Sequence, residues 1–407
     1  MMSSATSSNE LKNYLQQFLK EESIEEYDIL MEGNSEKGGN YIGDVTFLTL
    51  VPKNGMIPYN LVIKTAKKSP KLRNAMPIAT AYKREFYMYN QMFPELRKYI
   101  DSTKSEVELN YVPKILWLSN EDLHETFIME NLTHKGYKSW NKTKPMDINH
   151  IRLVMNTLGK HHALSLAMNY ANPEYFDKIS RNLTNLWIEF SKFLDPDIFQ
   201  GTLLRNVLKF LEEAERQDLV DKYKSIVENI KVLVTSETPE EDRLVICHGD
   251  CWNNNLLFKY EETDQSKPTD ICLIDFQMSM LDTPVKDLSY FIYTACDKST
   301  LNHVELFLKT YHASLKSCLT QLGSKKDDIF TYHQLKEHWK KYSSFGLLCS
   351  VFIVKAELSE SDEAPDFVEI CEQGNDPANA FNFKMRDENE YRRRMIEVFT
   401  HYAEQCL

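Results

Sequence analysis

Val245-Ile-Cys-His248-Gly-Asp250-Cys-Trp-Asn-Asn-Asn255-Leu-Leu-Phe258 and, a dozen residues on, Ile271-Cys-Leu-Ile-Asp275-Phe-Gln277 are the stretches from which the fold is read. An apolar run enters a tight polar loop, a second run leaves it, and a third ends on Asp275. Strand ends hold polar groups rigidly while keeping them exposed. Asp250 stands two positions after His248 and Asn255 five after Asp250, so one loop can aim the latter pair at one point.

Phosphoryl transfer asks for such a set. One carboxylate orients an attacking hydroxyl and takes its proton, and a second holds Mg²⁺ across the β- and γ-phosphates. A neutral amide oxygen completes the shell of hard ligands. Asp250, Asp275 and Asn255 fit these roles in that order. Ordinary turn chemistry accounts for Asn253 and Asn254, because Asn, Asp and Gly dominate loops. It does not account for the other three in a strand–loop–strand–strand context. His248 either approaches the phosphates or braces the loop by hydrogen bonding, and bracing is the favoured reading.

Working upstream, such a site needs a lysine for the α- and β-phosphates at the end of a strand and a glutamate on the next helix to hold it. Tyr59-Asn-Leu-Val-Ile-Lys64 and Ala81-Tyr-Lys-Arg-Glu85-Phe-Tyr-Met supply them. Gly33, Gly38, Gly39 and Gly43 surround the first strand turn without a G-x-G-x-x-G pattern. That turn, with Gly38 and Gly39 at its tip, either covers phosphates through backbone N–H groups or is a plain hairpin. Phe127-Ile-Met-Glu130-Asn-Leu132 reads as the hinge, with the backbone at Glu130 and Leu132 meeting the adenine edge.

Strand patterns at 24–31, 41–51, 61–64, 114–118 and 126–129, with a helix at 79–93, predict a small antiparallel lobe over residues 1–131 with one main helix. An amphipathic helix at 8–19 precedes it. Residues 132–407 read as a large, mainly helical lobe, with the catalytic loop 248–255 and the metal strand 271–277 as a strand-rich island. The expected class is α+β and bilobal. Asp147 is a plausible N-cap, and 359–379, acidic with Pro and Gly, reads as an exposed loop.

The chain has 407 residues with 48 basic and 60 acidic groups, a net charge of −12, and 42% hydrophobic residues. That is a globular composition, and the charge argues against nucleic acid as a partner. Phe345–Val354, the longest apolar stretch, is too short to span a membrane and reads as a buried helix. The start lacks the basic and apolar run of a secretory signal. Eight cysteines between Cys247 and Cys406 show no dense framework, so a reduced, cytoplasmic protein is expected and the Asn-x-Thr triplets at Asn131, Asn141 and Asn182 are coincidental. A catalytic cysteine at Cys247 or Cys251 is disfavoured, as is a zinc site, for want of a second ligand cluster. Asp287 reads as a brace for the loop, Trp252 as packing beneath it, and Arg392–Arg394 as a solvated helix face.

His248-Gly-Asp-Cys-Trp-x-x-Asn255, followed by Ile274-Asp-Phe-Gln277, resembles the ecdysteroid kinase-like, choline-kinase-like branch of the aminoglycoside phosphotransferase superfamily. Gly159–His162 with Ala163 resembles that branch too. The resemblance runs from Gly38-Gly-Asn-Tyr41 to the terminal helices and implies a protein-kinase-like fold, ATP and Mg²⁺ as cofactors, and phosphorylation of a small-molecule alcohol such as an ecdysteroid or xenobiotic. Asp250 is then the base, Asn255 and Asp275 the magnesium ligands, and Lys64 with Glu85 the phosphate-positioning pair. Choline or ethanolamine is the alternative acceptor, and a silent hormone- or lipid-binding module the alternative class. Nothing calls for an obligate protein partner. A protein kinase is disfavoured: Asp282-Thr-Pro284 follows within nine residues of Asp275, leaving no activation loop, and neither Ala-Pro-Glu nor His-Arg-Asp is present. Thr283-Pro284 reads there as an N-cap and N1 pair.

Overall fold

A computed structural model describes residues 8–35, 38–261, 264–324 and 329–407. Its architecture is α+β and bilobal. Tyr27–Asn34 (β1), Gly43–Pro52 (β2), Tyr59–Ala66 (β3), Ile115–Ser119 (β4) and Thr126–Glu130 (β5) form one antiparallel sheet in the order β1-β2-β3-β5-β4. Alternation along the strands gives the sheet two apolar faces. Leu48, Leu50, Leu61, Ile63 and Ile128 pack on Leu11, Leu15, Phe18 and Leu19 of the Ser8–Glu21 helix. The opposite face meets the Ile78–Tyr87 helix, where the Tyr82 hydroxyl donates to the Thr65 carbonyl at 2.9 Å. The small lobe therefore has two helical layers rather than one, because a sheet with two apolar faces must bury both.

The helix expected at 79–93 is longer and interrupted. Pro94 has no N–H for the Asn90 carbonyl, and the chain passes this break through a π turn, Met88–Met92, into the Phe93–Thr103 helix. Gly33 lies within β1 at a bulge rather than in the turn. Glu36 and Lys37 of the glycine turn, and the first seven residues, lie outside the described residues.

In the large lobe Asp147 caps the Ile148–Ala171 helix, accepting from the N–H groups of Asn149 and His150. Gly159 lets this helix lie close along Val304–Gln321, since a Cβ there would fall 2.7 Å from the Tyr311 carbonyl oxygen. Ser344–Leu358 is buried continuously from Gly346 and packs against Val285–Ala295. Among the described residues no helix is long and apolar enough to cross a membrane. The island contributes two small antiparallel sheets. Val245–Cys247 (β7) pairs with Met280–Asp282 (β10), and Tyr137–Ser139 (β6), Leu256–Glu261 (β8) and Asp264–Leu273 (β9) pair in the order β6-β8-β9.

Three sequence expectations fail for reasons of packing. Residues 359–379 are not simply an exposed loop: they contain the Phe367–Glu372 helix, capped by Asp366, and bury Phe367 and Cys371. Arg394 does not lie on a solvated face. It is fully buried and donates to the Thr294 carbonyl, while Arg392 and Arg393 pair with acidic residues at the surface. The Thr283 hydroxyl bonds His338 Nδ1 at 2.8 Å instead of capping, and the helix after it begins without a side-chain cap.

Candidate active site

β3 presents Lys64 to the Ile78–Tyr87 helix, which carries Glu85. Lys64 Nζ lies 2.7 Å from Glu85 Oε2 and 2.9 Å from Asp275 Oδ2. Burial works against the Lys64 ammonium, but Asp275 and Glu85 outweigh it and its pKa is raised. Burial pushes Glu85 up as well; Lys64 opposes this and Asp275 adds to it. The neighbouring Arg84 reaches from this helix into the large lobe, donating to the carbonyls of Asn182, Thr184 and Ser279. It anchors the glutamate-bearing helix against the far side of the site.

Asp275 follows β9 in the left-handed region, at φ 67° and ψ 70°, a strained conformation for a residue with a side chain. Its Oδ1 is buried and has no hydrogen-bond partner. Asn255 donates from Nδ2 to the Asp250 carbonyl at 2.9 Å and to Asp250 Oδ2 at 3.0 Å, which turns its amide oxygen the other way. The phenol of Tyr290 donates to Asp250 Oδ1 at 2.6 Å. Burial pushes the Asp250 carboxyl up, with Tyr290 opposing and the Asp275 charge adding. Glu85 and Asp275 thus share the ammonium of Lys64, and Asp250 stands beside Asp275 without a cation of its own, a set short of positive charge and supplied with hard oxygen atoms. It suits a divalent cation such as Mg²⁺.

The loop is held from below. Asp287 accepts from the backbone N–H groups of His248 at 2.7 Å and Gly249 at 2.8 Å, and His162 Nε2 donates to it at 3.0 Å. Burial works against the Asp287 charge, but His162 and these N–H groups outweigh it and its pKa is lowered. His248 Nε2 donates to the Ile274 carbonyl at 3.0 Å and Nδ1 accepts from the Asp250 N–H at 3.2 Å, so the ring ties the loop to the segment just after β9. Gly249, at φ +83°, lies against the Met278 carbonyl, where a Cβ would come within 2.0 Å. Cys247 and Cys251 are free, and burial first, then Asp287, pushes both thiols well up.

Asp250, Asn255 and Asp275 line one open cavity. Its walls are aromatic and aliphatic: Trp187, Phe190, Phe199, Trp252, Phe352, Phe367 and Phe381 line it, with Gly39–Ile42 along one edge. Among the described residues Asp250 and Asp275 are its only carboxylates. Tyr41 packs edge-on against Phe367 at 5.7 Å and Phe381 at 5.9 Å. Gly38 accepts from Asn254 Nδ2 at 3.3 Å, so the glycine turn touches the loop 248–255. Glu130 and Leu132 lie at the end of β5, apart from this cavity. The Glu130 N–H already donates to the Lys114 carbonyl, and its carboxylate pairs with Lys135.

Sequence reasoning missed several participants. Tyr290 lies three residues after Asp287 on one helix, a spacing that places both on one face and could have revealed it. Trp187 donates from Nε1 to the Gly249 carbonyl at 3.0 Å and carries no motif. Asn253 is no bare turn residue, since it is buried and donates to Glu357 Oε1 at 2.8 Å. Phe367 comes from a segment, 359–379, whose composition reads as solvent-exposed. Comparison with curated proteins yields no match. The ecdysteroid kinase-like family profile matches residues 37–324, more than half of the chain, which therefore belongs to that family of kinase-like phosphotransferases.

Proposed function

We propose that the protein is an ATP- and magnesium-dependent kinase that phosphorylates a hydroxyl group of a compact, largely apolar alcohol. The observation that carries this reading is the placement of Asp250, Asn255 and Asp275 at the wall of an apolar cavity, with the Lys64–Glu85 pair joined to Asp275. Lys64 binds the α- and β-phosphates and Glu85 orients it. Adenine meets the backbone between the lobes at 130–132; with the Glu130 N–H in use, its carbonyl and the Leu132 N–H are the groups for that edge. Asn255 Oδ1 and Asp275 Oδ1 would hold magnesium, which when bound offsets charge on the β- and γ-phosphates. Gly38 and Gly39 would cover the phosphates through backbone N–H groups.

The acceptor hydroxyl oxygen forms the new bond to the γ-phosphorus, the bond from that phosphorus to the ADP oxygen breaks, and Asp250 takes the hydroxyl proton. A base with a raised pKa is better matched to that task near neutrality. The apolar walls supply binding and exclude water. They favour a sterol-like alcohol over choline, because a quaternary ammonium draws on carboxylates as well as rings, and among the described residues none lines the cavity beyond Asp250 and Asp275.

The test is ADP release in the presence of ecdysteroids, choline and plant alcohols, each with and without Mg²⁺, beside Asp275→Ala. Turnover of an apolar alcohol that depends on Mg²⁺ and vanishes in Asp275→Ala is the expected result. Normal rates in Asp275→Ala at saturating Mg²⁺ would remove the kinase reading. Efficient turnover of choline with the sterols inert would move the acceptor to the choline class.

A further inference from the structure

The phenol of Tyr290 is fully buried on the Val285–Ala295 helix, and its one hydrogen bond runs to Asp250 Oδ1 at 2.6 Å. A buried phenol needs a partner, and the backbone carbonyls of the helical lobe would satisfy it at less cost than a carboxylate in an apolar wall. The contact is instead charge-assisted and short. Asn255 Nδ2 donates to the other oxygen of Asp250 at 3.0 Å, so each carboxylate oxygen carries one donor. Two donors on two oxygens fix the carboxylate plane, and each oxygen keeps a lone pair for other use.

The same helix supplies Asp287, which holds the N–H groups of His248 and Gly249. One rigid element therefore sets both the backbone of the loop and the side chain at its tip. The Tyr290 ring also stands 6.2 Å from that of Trp187, which donates to the Gly249 carbonyl and lines the cavity. A side chain built into that many fixed contacts keeps its hydroxyl in place without help from a substrate.

We infer that Tyr290 is a positioning residue for the reaction, holding the Asp250 carboxylate in the one orientation from which it can receive the acceptor proton. The inference rests on Asp250 being the base. It assigns Tyr290 no contact with nucleotide, metal or acceptor, so its loss should act on turnover and leave Mg·ATP binding alone. A misplacement of the order of an ångström in a catalytic group costs up to about 10²-fold. Tyr290→Phe should therefore lower kcat by roughly 10- to 100-fold, with the KM for ATP within about twofold of the parent.

The probe is steady-state release of ADP from Mg·ATP with water as the acceptor, which requires no identified alcohol. Four chains are compared: the parent, Tyr290→Phe, Asp250→Asn and the double variant. If Tyr290 acts through Asp250, its removal costs nothing further once Asp250 is asparagine, and the two effects are strongly non-additive. A tyrosine that merely stabilises the fold would lower the melting temperature and subtract the same factor in both backgrounds. 4-Aminophenylalanine at position 290 keeps the ring and a donor and should recover most of the rate. Should Tyr290→Phe not fold, 4-methylphenylalanine, which keeps the bulk without the donor, takes its place against 4-aminophenylalanine. An inactive Asp250→Asn with a fully active Tyr290→Phe overturns the role of Tyr290 alone. Normal turnover in Asp250→Asn overturns the base, and the role of Tyr290 falls with it.

Discussion

Asp250 and Lys64 act on different reactants in the proposed transfer, so their replacements should differ in kind. Asp250→Asn keeps size and hydrogen bonding but cannot take a proton. It should lower kcat by ~10²–10⁴-fold, the usual span for a general base, with Mg·ATP affinity held within a few-fold. Lys64→Met removes the ammonium that joins Glu85 to Asp275. It should weaken nucleotide binding as well as rate. Calorimetry with a non-hydrolysable ATP analogue beside steady-state kinetics separates the two. If Asp250→Asn loses affinity in step with activity, Asp250 serves metal or structure and not the proton. These residues were legible because strand ends and short loops bring them together locally. The Lys64–Glu85 pair spans only 21 residues, a strand followed by a helix.

Between residues and the whole molecule, the loop 248–255 depends on elements far away in sequence. Asp287 lies nearly forty residues on and His162 more than eighty back, and both meet under the loop. Gly249 makes the fit possible. Its left-handed φ suits a residue without a Cβ, and the Met278 carbonyl occupies the place where a Cβ would go. Gly249→Ala should therefore displace the loop, add about 1–3 kcal/mol of backbone strain, and abolish turnover. Denaturant unfolding with ADP-release kinetics checks both parts, and an active, fully stable variant would show that the contact can relax. Composition predicted a loop for 359–379 because charge, Pro and Gly dominate it. Its single aromatic residue decided otherwise, since Tyr41 and, beyond the segment, Phe381 provide rings for Phe367 to pack on. Glu372 also joins this segment to the small lobe through Ser69 and Lys71.

At the scale of the molecule, burial of ionisable groups sets how stability follows pH. His161 lies in the core of the Ile148–Ala171 helix, and burial first, then His162, holds its imidazole down to about 3 from an ordinary 6.5. His401 is held to about 4 by burial. Between these values and 6.5 the unfolded chain binds protons that the folded chain refuses. Stability is then complete above the unfolded value and is lost as pH falls through this window. The melting temperature should drop on acidification below about pH 6.5, and His161→Phe should flatten that decline. An identical acid slope in the variant would show that other groups control it.

Taken by itself, the order of residues determined the fold class, the strand-rich lobe, the helical lobe and the meeting of Asp250, Asn255 and Asp275 at one cavity. Those features rest on periodicity and short spacing, which act between neighbours in the chain. Only the tertiary structure decided that the Ser8–Glu21 helix covers the second face of the sheet, that Arg394 is buried, and that Tyr290, Trp187 and Asn253 support the loop 248–255. It also decided what walls the cavity. Each of these depends on which apolar face or carbonyl a distant side chain meets, and that is set by packing the whole chain at once, where no local pattern records the partner.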